Sequence, residues 1–112
     1  MSYITEDKVI NFIDKFKEKH PEEITDAFLS GLCYYFARII QERFGGTLVF
    51  DEEQVHFAIH LRIDSKDYIC DINGLYEISQ QELNKWWPWD EYKKSNPEES
   101  KGIEKSCILK EK

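Results

Sequence analysis

The amino-acid sequence predicts an α+β fold in which a central helix packs on a small antiparallel sheet of about three or four strands. An amphipathic segment from Gly31 to Phe44 predicts the helix, and the pair Gly45-Gly46 that follows it is a strong helix stop. Alternating apolar residues separated by polar turns then predict strands joined as hairpins. A chain of 112 residues, 41% of them hydrophobic, is expected to form one core.

The first predicted helix begins after Thr5, a residue type that caps helices, and Pro21 stops it. Its apolar residues recur at helical spacing and predict one buried face: Val9, Ile10, Phe12, Ile13 and Phe16. Residues 21–30 fit either a short helical turn or an irregular loop. The central helix follows.

Three strands are predicted after the central helix, at residues 47–50, 55–63 and 68–72. The polar segment from Asp64 to Asp67 predicts a hairpin turn between the second and third strands. Asn73-Gly74 predicts a further tight turn.

A capping-box pattern at Ser79 and Glu82 predicts a short helix that runs to about Trp87. We therefore expect one domain over residues 1–92. Residues 93–112 are mostly polar and predict a C-terminal arm, either loosely packed or an edge strand.

The composition of the chain argues against two classes of function, nucleic-acid binding and membrane insertion. The chain has 22 acidic and 15 basic residues, and its net charge of −7 disfavours nucleic-acid binding. No apolar run is long enough to span a membrane, and the N-terminus lacks a signal-peptide pattern. Three scattered cysteines fit a reducing compartment, so a cytoplasmic protein without metal or cofactor is expected.

Cys33 lies in the first turn of the central helix, where the helix dipole and free backbone N–H groups favour a thiolate. Histidines and an aspartate follow it on predicted strands, the order of a thiol triad. If the hairpin turns near Ser65-Lys66, simple register places His60 nearest Asp71. A bulge or the Asn73-Gly74 turn could instead bring Asp71 or Asn73 to His56. Register alone leaves both histidines open.

Each of these residues also has a structural interpretation that needs no catalysis. Cys33 also fits a small buried apolar residue, the histidines a polar strand face, and Asp71 a turn former. A metal site made of Cys33, His56, His60 and Asp71 is a further alternative, although its spacing is not a recurrent zinc pattern. Of the other thiols, Cys70 is expected in the core, and Cys107 is expected to be inert or mildly reactive.

The stretch from Gly31 to Gly74 resembles the core of the transglutaminase-like branch of the papain-like superfamily, including small bacterial and phage-type proteins with this residue order. In that pattern a Gly-x-Cys sequence starts a helix, a histidine opens a strand and an aspartate ends the next strand. The resemblance implies a papain-like core with Cys33 as nucleophile, His56 as general acid/base and Asp71 as the orienting carboxylate. The tryptophan common just after the histidine is replaced by Phe57.

Three tryptophans around Pro88, namely Trp86, Trp87 and Trp89, predict either a cap on the core or a surface that binds substrate or a partner. Trp89 is the one expected to be least drawn into the core. The predicted function is thiol-dependent acyl transfer or hydrolysis of an amide, peptide or isopeptide bond in a protein or peptide substrate. The alternative is a non-catalytic acidic interaction protein that inhibits a host or partner protein through the tryptophans.

Overall fold

The computed structural model describes residues 4–19 and 33–104. In these residues the chain forms five helices and five strands, which confirms the α+β prediction. The helices are α1 (Glu6–Lys19), α2 (Cys33–Phe44), α3 (Gln80–Leu83), α4 (Trp89–Ser95) and α5 (Pro97–Ile103). The strands are β1 (Thr47–Asp51), β2 (His56–Ile63), β3 (Lys66–Asp71), β4 (Gly74–Glu77) and β5 (Trp86–Pro88).

The two long helices begin and end where the sequence predicts, as far as they are described. Thr5 caps α1, because its Oγ1 accepts the backbone N–H of Lys8 at 3.2 Å. Gly45 ends α2 with a φ of 84°, and its N–H donates to the carbonyl of Gln41 at 2.8 Å. The predicted residues 21–30 and the predicted helix start at Gly31 lie outside the described residues.

The sheet is antiparallel throughout, in the order β4-β3-β2-β1-β5. The hairpin between β2 and β3 turns at Asp64 and Ser65, both at positive φ, as a two-residue turn of the type favoured in hairpins requires. It therefore turns one residue earlier than at Ser65-Lys66. As a result His60 pairs with Ile69 and not with Asp71, so the simple register prediction for His60 was wrong.

The two faces of the sheet are covered differently. Helices α1 and α2 pack on one face, and the main core there includes Val9, Phe36, Ile40 and Phe57. The opposite face carries a smaller apolar cluster, made of Val49, Ala58 and Ile69 with Ile78, Leu83 and Trp86 packed against it. Alternate residues of β2 thus point to opposite layers, and the strand connects them.

The C-terminal half differs most from the prediction. The helix that begins after Ser79 ends at Leu83 rather than near Trp87, and β4 and β5 add two strands to the three predicted. Residues 93–104 continue α4 and form α5, where the sequence indicated a loose arm or an edge strand. Tyr92 and Ser100 are buried in these helices.

None of the helices in the described parts of the chain is long and apolar enough to cross a membrane.

Candidate active site

Cys33 is the first residue of α2, and its thiol faces the start of β2. The backbone N–H of Phe57 donates to the Cys33 Sγ at 3.5 Å, and the nearby backbone N–H of Tyr34 also favours the anionic form of the sulfur. Backbone N–H groups at a helix start stabilise an anion. The residue is only 4% exposed, so these donors act in surroundings that water screens weakly.

His56 opens β2, directly after Val55, a residue with a φ of 51°. Its Nε2–H donates to the Asp71 Oδ2 at 2.9 Å, and its side chain is 14% exposed. The imidazole also interacts electrostatically with the Cys33 thiol. Because Asp71 occupies Nε2, the other ring nitrogen, Nδ1, is left to exchange a proton with the sulfur.

Asp71 ends β3 and uses both oxygens of its carboxylate. While Oδ2 accepts from His56, Oδ1 accepts the backbone N–H of Asn73 at 2.9 Å. Asp71 therefore makes the turn-forming hydrogen bond and the hydrogen bond to His56 at the same time. The turn bond fixes the carboxylate, and the fixed carboxylate fixes the imidazole.

The electrostatics of the thiol and the imidazole are coupled. Burial alone raises the pKa of Cys33, but the hydrogen bonds from His56 and Phe57 and the imidazolium charge outweigh it and lower that pKa. Burial alone lowers the pKa of His56, but hydrogen bonds to Asp71 and Cys33 outweigh it and raise that pKa to about 9. Both shifts favour a thiolate–imidazolium pair at neutral pH.

The second histidine forms a separate pair. The Nε2 of His60 lies 2.8 Å from the Asp67 Oδ1, and the two side chains are 23% and 16% exposed. At about 3.3 Å per strand residue, His60 lies about 13 Å along β2 from His56. The structure thus pairs Asp71 with His56 and Asp67 with His60, so it does not bring His60 to Asp71.

Cys70 is the second cysteine of the described residues. Cys70 lies on the buried side of β3 with no exposed surface, and burial followed by the charge of Asp71 raises its pKa to about 12. Cys107 lies outside the described residues. Within residues 4–19 and 33–104, no three His, Cys, Asp or Glu side chains are arranged to hold a metal ion.

The three tryptophans separate in the structure. Trp86 lies beside His56, with 6.2 Å between ring centroids. Trp87 points to the helix side of the sheet and packs edge-on against Tyr92, 5.5 Å away. Trp89 is 4% exposed and stacks on Tyr92, so its predicted place on a binding surface was wrong. It begins α4, and the turn of that helix directs its ring inward.

A groove of about 350 Å³ adjoins the histidine–aspartate pair. Besides His56 and Asp71 its lining consists of Gln54, Ile69, Asn73, Tyr76, Ile78 and Trp86. Of these the sequence analysis assigned only Trp86 to a binding surface. The strand that carries Tyr76, β4, is four residues long and lies between turn signals, so the sequence did not place this residue beside His56. A larger groove of about 430 Å³, next to Tyr34 and Arg38, touches none of the three triad residues.

Compared with family models, with curated proteins and with solved structures, the chain gives no match in any of the three.

Proposed function

We propose that this protein catalyses thiol-dependent acyl transfer or hydrolysis of an amide, peptide or isopeptide bond. The observation that carries the proposal is that the His56 imidazole is hydrogen-bonded to the Asp71 carboxylate at 2.9 Å and is electrostatically coupled to the Cys33 thiol. It supplies a nucleophile, a group that moves its proton and an orienting carboxylate. The resemblance to transglutaminase-like proteins supports the same reaction class.

The first half of the reaction forms a thioester. The Cys33 thiolate attacks the carbonyl carbon, and the new C–S bond gives a tetrahedral oxyanion near the N-terminus of α2. The backbone N–H of Cys33 is the expected donor to that oxyanion. As the oxyanion collapses, the C–N bond breaks and His56 passes its proton to the departing nitrogen. An amine leaves, and Cys33 remains acylated.

The second half releases the acyl group. Neutral His56 takes a proton from a water molecule or a second amine, which attacks the thioester carbonyl. The C–S bond then breaks, and the sulfur leaves as the thiolate beside a protonated imidazole, so the starting ion pair is restored. Water gives a carboxylic acid, whereas an amine gives a new amide.

The interaction-protein alternative has less support. It needs the tryptophans as a continuous contact surface, but Trp89 is buried and Trp87 packs on the opposite side of the sheet from Trp86. The large apolar side chains found exposed in the described residues are scattered over three elements or loops, at Ile10, Val55 and Tyr76.

Treatment with p-nitrophenyl acetate tests the proposal. We expect a burst of p-nitrophenolate equal to the amount of protein, with one acetyl group on Cys33 by intact mass and peptide mapping. Cys33→Ala removes the burst. The proposal fails if the acetyl group goes to lysines or to Cys107, or if Cys33→Ala releases p-nitrophenolate as fast as the wild type.

A further inference from the structure

Cys33 and His56 reach the reaction centre from opposite layers of the protein. Cys33 belongs to the core on the helix side of the sheet, where it lies against Phe57. His56 is one residue earlier on β2, and its side chain points to the other face, where Trp86 lies. The reacting atoms therefore meet at the end of β2, between the two layers.

On the face that carries His56, the groove of about 350 Å³ starts at the imidazole. Its remaining lining is uncharged. Trp86, Ile69 and Ile78 supply apolar surface, and Tyr76 forms an outer wall that is 50% exposed. Gln54 and Asn73 place amide groups in the lining, where they are able to bind a polar backbone.

We propose that this groove is the subsite for the amine side of the scissile bond, and that it selects an uncharged apolar or aromatic side chain. The assignment rests on the proposed function. His56 gives its proton to the departing nitrogen, so that nitrogen and its substituent lie on the imidazole side of the sheet end. The acyl part stays bonded to Cys33 on the helix side. By microscopic reversibility an acceptor amine occupies the same groove.

The lining explains the selectivity. A charged side chain placed against Trp86, Ile69 and Ile78 loses its hydration without gaining an ionic partner, because Asp71 is already paired with His56. An apolar side chain gains contact area there. Differences of one apolar group in such a pocket change rates by about 10- to 200-fold.

Amine transfer from acetylated Cys33 tests the assignment. The acetyl-protein is prepared with p-nitrophenyl acetate, freed of reagent and mixed with glycinamide, leucinamide, tyrosinamide or lysinamide. Intact mass follows the loss of the acetyl group, and chromatography measures the N-acetyl product. We expect tyrosinamide and leucinamide to be acetylated about tenfold or more faster than glycinamide and lysinamide.

Two variants and a matched control locate the preference. Trp86→Ala is expected to reduce the tyrosinamide-to-glycinamide ratio towards one. Tyr76→Ala, at a half-exposed site, is expected to reduce it as well and serves if Trp86→Ala does not fold. Trp87→Ala removes the neighbouring tryptophan, which packs on Tyr92 outside the groove, and should keep the wild-type ratio.

The outcomes separate the two claims. If no acetyl-Cys33 forms, the proposed function fails and this assignment falls with it. If acetyl-Cys33 forms but the four amines react alike, or if Trp87→Ala changes the ratio as much as Trp86→Ala and Tyr76→Ala do, the groove assignment alone is overturned.

Discussion

His56 and Asp71 are joined across a diagonal of the β2–β3 ladder. The strand register pairs Ile59 with Cys70, so the position opposite Asp71 is Ala58, and His56 lies two residues further along the same face. His60 and Asp67 have the same diagonal relation further down the hairpin. Two similar histidine–aspartate pairs thus share one face, and within the described part of the chain only the pair at the strand end meets a thiol.

This duplication gives a matched comparison, His56→Gln against His60→Gln. We expect His56→Gln to slow steady turnover of p-nitrophenyl acetate by about 10²–10⁴-fold, the usual contribution of a general acid/base. His60→Gln should leave turnover per folded molecule close to wild type, because His60 contacts Asp67 and lies far from Cys33. Equal losses in the two variants, at equal folded fractions by circular dichroism, would contradict the assignment of His56.

Asp71→Asn separates the two roles of Asp71. An asparagine keeps a carbonyl oxygen for the Asn73 N–H, so the turn and the melting temperature should be retained. Its NH₂ group then faces Nε2 of His56, which must become an acceptor. The ring proton moves to Nδ1, and the imidazole no longer accepts the proton of the thiol. We expect turnover to fall by up to about 10⁴-fold.

Asp71→Ala is the companion variant, because it removes both bonds. It should lose turnover as Asp71→Asn does. It should also lower the free energy of unfolding by about 1–3 kcal/mol, since the His56 Nε2–H and the Asn73 N–H are left without their acceptor. Urea titration measures this difference. If Asp71→Asn is as unstable as Asp71→Ala and keeps its turnover per folded molecule, Asp71 serves the turn alone.

The sequence was enough to name the three residues of the proposed triad but not the register that pairs His56 with Asp71. The order of Cys33, His56 and Asp71 and the elements that carry them are local features, visible in capping, periodicity and turn composition. The partner of Asp71 depends on whether the hairpin turns at Asp64-Ser65 or one residue later. Both turns are chemically acceptable. Moving the turn by one residue shifts the pairing of the two strands by two residues, so Asp71 keeps its face of the sheet but lies opposite a different residue.

The thiolate gives a prediction on pH. The pKa of Cys33 is lowered and that of His56 is raised to about 9, so the ion pair exists from below the ordinary thiol range up to about pH 9. Iodoacetamide should therefore alkylate Cys33 faster at neutral pH than it alkylates a thiol of ordinary pKa. The alkylation rate of Cys33 should change near pH 9, where His56 loses its proton and the sulfur loses its positively charged counter-ion.

Peptide mapping supplies the internal controls for this experiment. Cys70 should stay unmodified in the folded protein, because it is buried and its pKa is about 12. Cys107 is the reference thiol of the same chain, and an ordinary thiol titrates around ~8.5. A Cys33 rate that follows the Cys107 curve, or that is unchanged in His56→Gln, would show that no ion pair forms.

The tryptophan region shows a different limit of sequence reasoning. Trp86–Pro88 forms a strand only because the edge of β1 is available to it, and Pro88 is tolerated there because an edge strand needs fewer backbone donors. The local pattern after Ser79 indicates a helix. Long-range pairing overrides it and sends Trp86 and Trp87 to opposite faces, which no helical spacing would predict.

Trp89→Ala should therefore destabilise the protein rather than weaken a surface contact. The Trp89 ring is 4% exposed and packs against Phe50, Phe57 and Tyr92, with ring centroids 4.8 to 5.6 Å away. Removing it leaves a cavity, for which we expect a loss of about 3–5 kcal/mol in the free energy of unfolding by urea titration. Trp86→Ala, at a partly exposed groove position, should cost clearly less. Trp89 also packs on Phe57, whose backbone N–H donates to Cys33. Because the loss of Trp89 weakens the support of Phe57, Trp89→Ala should also raise the pH at which Cys33 is alkylated, even in the folded fraction. Unchanged stability in Trp89→Ala would contradict the core position of this ring and return it to the candidates for a binding surface.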